Sequence, residues 1–309
     1  MKRNPSIELW RCLCMFAVVL GHVVVHNQTG TMNGFLWHIP GFLLITGYFG
    51  IKFKWAKVFR LLGICYACYW LTIPLRDESV TLLNLLVPHG GWFVPFYIVL
   101  MMLSPILNAA ISAGEHRRMA MMVGALLLFA WCPCFWPRLG MMRVAGLQGN
   151  GMLLMVATYI LGRLFAEHGV LNRIKPILGG CVFLAGIALQ VVVYGYFPEA
   201  GSYVAPLSLI TAFAGFSVVA NIRLPEMLVR PVVFIAPSMF GVYLLHECCI
   251  KSWQYSDFAA RSWWHSLVWA AALFSVSILI DLVRRVLTGL AIQLAIRSRL
   301  IHEIRKGGR

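Results

Sequence analysis

The chain has 309 residues, of which 60% are hydrophobic and only 12% are charged. Soluble globular domains carry about 25% charged residues, so this composition excludes a soluble domain. The apolar residues form long continuous runs rather than alternating with polar ones, which favours membrane-spanning helices over the strands of a barrel. We therefore expect an all-α, polytopic integral membrane protein.

The net charge of +15 would suit a nucleic-acid partner in a soluble chain, but the placement of the basic residues argues against one. Most Lys and Arg residues lie at one set of segment ends, which the positive-inside rule assigns to the cytoplasm. Those on the other side are Arg76, Arg138, Arg143, Lys251 and Arg261. This asymmetry predicts a multi-pass protein of the plasma (inner) membrane, with both termini in the cytoplasm and no nucleic-acid partner.

Ten apolar segments are long enough to span a lipid bilayer. They cover residues 7–27, 33–51, 58–75, 92–112, 118–136, 149–167, 176–196, 203–221, 231–250 and 263–286. No linker or internal repeat separates them, so we expect one transmembrane domain over residues 1–286. Residues 287–309 continue the helical pattern with basic residues between the apolar ones, which predicts an amphipathic tail on the cytoplasmic leaflet.

The first segment, SIELWRCLCMFAVVLGHVVVH (6–26), carries an arginine and a histidine inside an apolar run. Arg11 interrupts that run, so we expect the segment to remain as a span rather than to be cleaved as a signal peptide. In a helix Arg11 and His22 lie about 16 Å apart on one face, with Glu8 and His26 close to the same line. Ionisable side chains at this depth are costly and usually serve a function. The alternatives are that Arg11 snorkels to the headgroups and that His22 only hydrogen-bonds a neighbouring helix.

Lys57 and Arg60 lie at the start of the third segment and are three residues apart, so both side chains can reach one anion. Arginine and lysine suit phosphate groups because they form charge-assisted hydrogen bonds. The alternative is that the two residues only mark the cytoplasmic end of the span. Further basic residues on this side, which we expect as helpers, are Lys52, Lys54, Arg117 and Arg118.

The opposite side carries histidines. His246 lies fifteen residues into the ninth segment, which gives it the same depth as His22 in the first. The sequence does not say whether these two histidines meet. The other candidates on that side, expected at headgroup level or at the interface, are His26, His89, Trp92 and Glu247.

The nine cysteines lie mostly within apolar segments. The pairs Cys65 and Cys68, and Cys132 and Cys134, have spacings that superficially suggest a redox or metal motif. No histidine or acidic residue lies nearby to complete such a site, so we interpret these cysteines as small packing residues. We expect no metal site.

Several motifs carry a family resemblance. In the first segment an arginine, ten residues and then a histidine follow an Ile-Glu-Leu entry. The run GFLLITGYF (41–49) ends in Thr46-Gly-Tyr-Phe, and Lys57-Val-Phe-Arg60 opens the third segment. Two later stretches are WFVPFYIVLMMLSPIL (92–107) and FGVYLLH (240–246). Taken in order, these motifs resemble those of the bacterial membrane acyltransferase 3 family, in which serine is usual at the position of Thr46.

The resemblance implies an integral membrane O-acyltransferase, and an O-acetyltransferase as the commonest kind. It implies that Lys57, Arg60 and Arg11 hold cytoplasmic acyl-CoA and that the acceptor is a hydroxyl of an extracytoplasmic or lipid-linked glycan. Acyl transfer needs a base for the hydroxyl proton, and neutral histidine suits this task. His22 is therefore the candidate base, with Arg11 and His246 as further catalytic candidates. No serine or cysteine near His22 lies in a nucleophile motif, so we expect no covalent intermediate.

Two other classes of protein stay open. A secondary transporter or flippase would use Arg11 and His22 as a substrate or proton site, although its usual pair of related halves is not detected in this sequence. A membrane-embedded sensor or scaffold would leave His22 without a role. Release of CoA from acyl-CoA by the purified protein separates the enzyme from both.

Overall fold

The computed structural model describes residues 4–30, 33–73, 92–131, 151–197, 201–253 and 258–307. Every regular element in these ranges is helical. The α-helices are α1 Pro5–His26, α2 His38–Phe49, α3 Trp55–Thr72, α4 Phe93–Ser112, α5 His116–Trp131, α6 Met152–Glu167, α7 Pro176–Tyr196, α8 Pro206–Asn221, α9 Glu226–Ile235, α10 Met239–Trp253 and α11 Trp263–Gly307. The predicted all-α class is thus confirmed for the described part of the chain.

Each of the ten predicted spans overlaps at least one helix. Five stretches are long and apolar enough to cross a membrane by themselves, namely Pro5–His26, Phe93–Ser112, Pro176–Tyr196, Glu226–His246 and Trp263–Ala291. These stretches make the chain a multi-pass membrane protein. The count of ten spans and the cytoplasmic placement of both termini stay predictions.

The ninth predicted span is divided into two helices. The 3₁₀ turn Ala236–Ser238 separates α9 from α10. Pro231 lies inside α9 and Pro237 lies within the turn. Proline lacks a backbone N–H and its ring clashes with the preceding helical turn, so a straight helix cannot continue through this stretch. The break between the two helices lies against α1.

Helix α1 lies at the centre of the bundle. Within its most apolar stretch 72% is buried, against 22–39% for the other four candidate spans. Asn4 caps its first turn, and the Ser6 hydroxyl donates to the Ile222 carbonyl at 2.6 Å, which fixes this end against α8. Deeper in, the fully buried Trp10 ring stacks on Trp37 with centroids 5.2 Å apart. Most side chains of α1 therefore face protein rather than lipid.

Helices α2 and α6 cross with their backbones in direct contact. A Cβ atom added at Gly47 would lie 2.2 Å from the Tyr159 carbonyl oxygen. One added at Gly162 would lie 2.6 Å from the Leu44 carbonyl oxygen. Small residues allow such close approach in membrane bundles, where van der Waals packing rather than the hydrophobic effect holds helices together.

Helix α11 contacts the helix break through residues at and beside a buried ion pair of its own. Asp281 is fully buried and its Oδ1 accepts from the Arg284 Nε at 2.7 Å. Its side chain packs directly on Gly241 of α10. Arg285 donates to the Ser238 hydroxyl at 3.2 Å. Helix α11 continues past position 286 to Gly307 without interruption, so the predicted tail is the end of this long helix, and its separation as a domain stays a prediction.

The α2–α6 crossing yields a stability prediction. Gly162→Ala and Gly47→Ala each force a methyl group onto backbone atoms that cannot rotate away. We expect each to lower the unfolding free energy in detergent by at least the roughly 1–3 kcal/mol that overpacking costs. Thermal unfolding of the purified variants measures this. Gly63→Ala is the matched control, because no described atom lies within 4 Å of its added Cβ, and a Gly162→Ala protein as stable as this control would contradict the crossing.

Candidate active site

His22 and His246 are in contact. Their ring centroids lie 5.0 Å apart with the ring planes at 70°. The two helices that carry them, α1 and α10, pack against each other. His246 is buried and His22 is half-buried. The sequence predicted only that the two histidines lie at the same depth in the membrane. The structure shows that they meet.

The hydrogen bonds of His246 define which of its nitrogens carries the proton. Its Nδ1 lies 2.7 Å from the Tyr243 carbonyl oxygen and 3.2 Å from that of Val242. Carbonyl oxygens only accept, so Nδ1 must be the donor and the neutral ring then keeps its lone pair on Nε2. Nε2 is buried and has no hydrogen-bond partner among the described residues. An unpartnered buried acceptor is costly and needs an explanation, and a catalytic role is one such explanation.

A third histidine, His38, joins this region from the first residue of α2. It is 1% exposed, its Nδ1 bonds the Phe35 carbonyl, and it interacts electrostatically with both His22 and His246. Its ring also lies 5.4 Å from that of Tyr203. Sequence analysis missed His38. The sequence did contain a signal for it. The second span begins on the side of the membrane where the first span ends, so His38 is placed on the same side as the other histidines.

The other candidates on the histidine side of the protein lie in different surroundings. His26 is exposed at the end of α1, although it still interacts electrostatically with His246. Trp92 stacks on Tyr203 with centroids 6.5 Å apart, so it belongs to an aromatic layer beside His38. His89 and the Glu247 side chain lie outside the described residues.

Arg11 is paired within its own helix. Its Nη1 lies 2.6 Å from the Glu8 Oε2, and the side chains are 29% and 8% exposed respectively. The two residues belong to the polar stripe predicted for α1. A guanidinium has five N–H donors, so the ion pair neutralises the charge of Arg11 and still leaves donors for another ligand.

Two cavities meet at Arg11. The first, here the Lys57 cavity, has a volume of about 340 Å³ and is lined on one side by Lys57, Gly50 and Ile51. The second, here the Tyr243 cavity, has a volume of about 350 Å³ and reaches Phe93, Met239 and Tyr243. The residues that line both are Arg11, Phe42, Thr46, Leu61 and Tyr97. The two cavities therefore adjoin at Arg11, and we refer to the two together as the path.

One face of α1 forms a wall of this path. Arg11, Met15 and Val18 all line the Tyr243 cavity, and their spacing puts them on the same helix face as His22. Only one further helical turn, about 6 Å, separates Val18 from His22. At the far wall the Tyr243 ring centroid lies 5.9 Å from that of His246. The path thus leads from Lys57 past Arg11 toward the histidine pair.

The structure separates the two members of the predicted basic pair. Lys57 lines a cavity, and its Nζ donates to the Lys52 carbonyl at 2.8 Å. Both side chains are exposed, but Arg60 lines neither cavity. Among the expected helpers, Lys54 is exposed and Arg118 pairs with Glu115 on the surface. Only Lys57 is therefore brought to the cavity that Arg11 shares.

The structure describes one of the two cysteine pairs. Cys65 and Cys68 are both buried and unbridged in α3. The described ranges contain no group of three or more His, Cys, Asp or Glu residues that could hold a metal ion. Cys132 and Cys134 lie outside these ranges.

A central helix with a half-buried cation and a histidine pair, enclosed by apolar spans, defines a membrane protein with a polar site between its helices. Comparison with protein families gives its class. The family model described as an acyltransferase domain matches residues 4–283. The chain belongs to the acyltransferase 3 family and is a membrane acyltransferase, so the resemblance found in its motifs is confirmed. No curated protein and no solved structure matches the chain.

Proposed function

We propose that the protein is an O-acetyltransferase of the plasma (inner) membrane. It takes the acetyl group from cytoplasmic acetyl-CoA and transfers it to a hydroxyl of an extracytoplasmic or lipid-linked glycan, with both chain termini in the cytoplasm. One observation carries the proposal. Two adjoining cavities follow the face of α1 from Lys57 past Arg11 to Val18, one helical turn from His22, whose ring contacts that of His246.

The donor fits these cavities by its chemistry. The nucleotide end of CoA carries phosphates, which Lys57 and the unpaired donors of Arg11 bind through charge-assisted hydrogen bonds. The other end is an acyl thioester on a long, flexible and largely neutral arm. The Tyr243 cavity is lined mainly by apolar and aromatic side chains such as Met15, Val18 and Phe93, which suit that arm. The polarity of the path therefore matches the polarity of the donor.

The histidine pair supplies the proton chemistry. His22 removes the proton of the acceptor hydroxyl as its oxygen bonds to the thioester carbonyl carbon, and returns it to the CoA sulfur as the C–S bond breaks. His246 has Nδ1–H fixed by two carbonyls, its Nε2 has no partner among the described residues, and its ring lies against that of His22. In this position it stabilises the imidazolium that His22 becomes during transfer. Arg11, about 16 Å away along α1, holds the donor rather than the reacting atoms.

Donor binding gives one prediction. Lys57→Gln should raise the KM for acetyl-CoA about three- to tenfold, because one solvent-facing charged hydrogen bond contributes at most about 1.5 kcal/mol. Arg60→Gln is the matched control, since it removes an equal charge from the same helix without touching either cavity. CoA release by the purified protein measures both constants. An Arg60→Gln defect as large as that of Lys57→Gln would contradict this assignment.

The base gives the second prediction. His22→Gln keeps a hydrogen-bonding side chain but cannot accept a proton near neutral pH, so transfer should fall by about 10²–10⁴. Binding of CoA should stay within a few-fold of the unmodified protein. The measurements are CoA release from acetyl-CoA and mass spectrometry of acetylated surface glycans at matched protein levels. Full glycan acetylation by His22→Gln would disprove the base, and solute movement without any CoA release by the unmodified protein would favour a transporter.

A further inference from the structure

We propose that Tyr159 and Asn108 are positioning residues for the acyl-CoA donor. They lie on α6 and α4, outside both cavities. They act through the turn that follows α2, which supplies Gly50 and Ile51 to the wall of the Lys57 cavity. This inference rests on the proposed function, because it assigns the turn to donor binding.

Three hydrogen bonds close a ring around Ile51. The Tyr159 hydroxyl accepts from the Ile51 N–H at 2.9 Å and donates to the Asn108 Oδ1 at 2.8 Å. The Asn108 side-chain amide donates in turn to the Ile51 carbonyl at 2.9 Å. Both backbone polar groups of Ile51 and the Tyr159 hydroxyl are therefore satisfied within one small network. We refer to these three residues as the Ile51 ring.

The turn needs this support because its backbone is irregular. Gly50 adopts a φ of +70°, which favours glycine, and residues 51–54 form no regular secondary structure. Non-helical backbone inside a membrane protein requires partners for its N–H and C=O groups. The Ile51 ring supplies both partners for one residue. Arg163 of α6 packs over Gly50 from the same helix as Tyr159.

The hydroxyl of Tyr159 is not required by packing. Tyr159 is fully buried in an apolar cluster, where phenylalanine would fill the same space. A buried hydroxyl without partners would cost free energy, and this one makes two hydrogen bonds, both within the Ile51 ring. The hydroxyl therefore serves to hold the turn.

Fixing the turn also fixes Lys57. The chain passes from Ile51 to the start of α3 in four residues, and the Lys57 Nζ bonds the carbonyl of Lys52, the residue next to Ile51. A looser turn would shift the Lys57 ammonium away from the cavity mouth. We then expect weaker binding of the phosphate-bearing end of the donor and unchanged binding of its thioester end.

The test compares two donors with the purified full-length protein. Acetyl-CoA carries the nucleotide phosphates, whereas acetyl-pantetheine presents the same thioester without them. We expect Tyr159→Phe to raise the KM for acetyl-CoA by at most the roughly three- to tenfold expected for Lys57→Gln, because it acts through that contact, with kcat nearly unchanged. The KM for acetyl-pantetheine should not change. Tyr159→Phe combined with Lys57→Gln should be no worse than Lys57→Gln alone, because both act on the same contact.

Tyr194→Phe is the matched control. Tyr194 is also buried, and its hydroxyl lies 3.3 Å from the Ser208 Oγ, between α7 and α8 and outside both cavities. Amide hydrogen exchange should speed up at residues 50–54 in Tyr159→Phe and not in Tyr194→Phe.

Equal losses with both donors, a loss in kcat alone, or unchanged exchange at residues 50–54 would each overturn the positioning role. If the unmodified protein releases no CoA from acetyl-CoA, the proposed function fails and this inference fails with it. A normal KM in Tyr159→Phe alongside an active unmodified protein would overturn the inference alone.

Discussion

An apolar helical bundle can hold a cation only if something neutralises it, and the Arg11–Glu8 ion pair meets that constraint here. Both groups come from one turn of α1, so the charge is balanced before any other helix packs against it. Helix α1 can then be enclosed by α2, α8, α9, α10 and α11. Its polar face is turned toward internal cavities, where Arg11 keeps donors for a ligand. Removing Glu8 would leave a partly buried charge without compensation, which is the costly case.

The site depends on contacts between residues far apart in the sequence. His22 and His246 meet because α1 and α10 pack together, and α10 reaches this position after the helix break at Ala236–Ser238. Ala236 and Pro237 themselves line the Tyr243 cavity. The Asp281–Arg284 pair and the Arg285 contact to Ser238 hold the break from the side of α11. The discontinuity is thus part of the cavity wall, as is common where membrane helices surround a substrate path.

Sequence patterns predicted the helices well because length and continuous hydropathy are local properties. They also predicted the Arg11–His22 face and the equal depth of His246, since helical geometry is regular. Sequence analysis missed three features. The separation of Lys57 from Arg60 depends on how α3 is rotated against its neighbours. His38 lies at a helix start where no periodic pattern marks it, and only its level in the membrane could have indicated it. The Ile51 ring joins residues 51, 108 and 159 through single hydrogen bonds, which leave no trace in composition or spacing.

The central claim is that the donor lies along the Arg11–His22 face of α1. The most direct measurement uses an acyl-CoA with a photoreactive diazirine in its acyl chain, crosslinked to the purified protein and mapped by peptide mass spectrometry with excess CoA as competitor. We expect CoA-sensitive labelling of Met15, Val18 or Tyr243, which line the cavity next to the histidine pair. Labelling confined to the separate apolar groove at Leu209 and Phe213, or labelling that CoA does not compete, would contradict it.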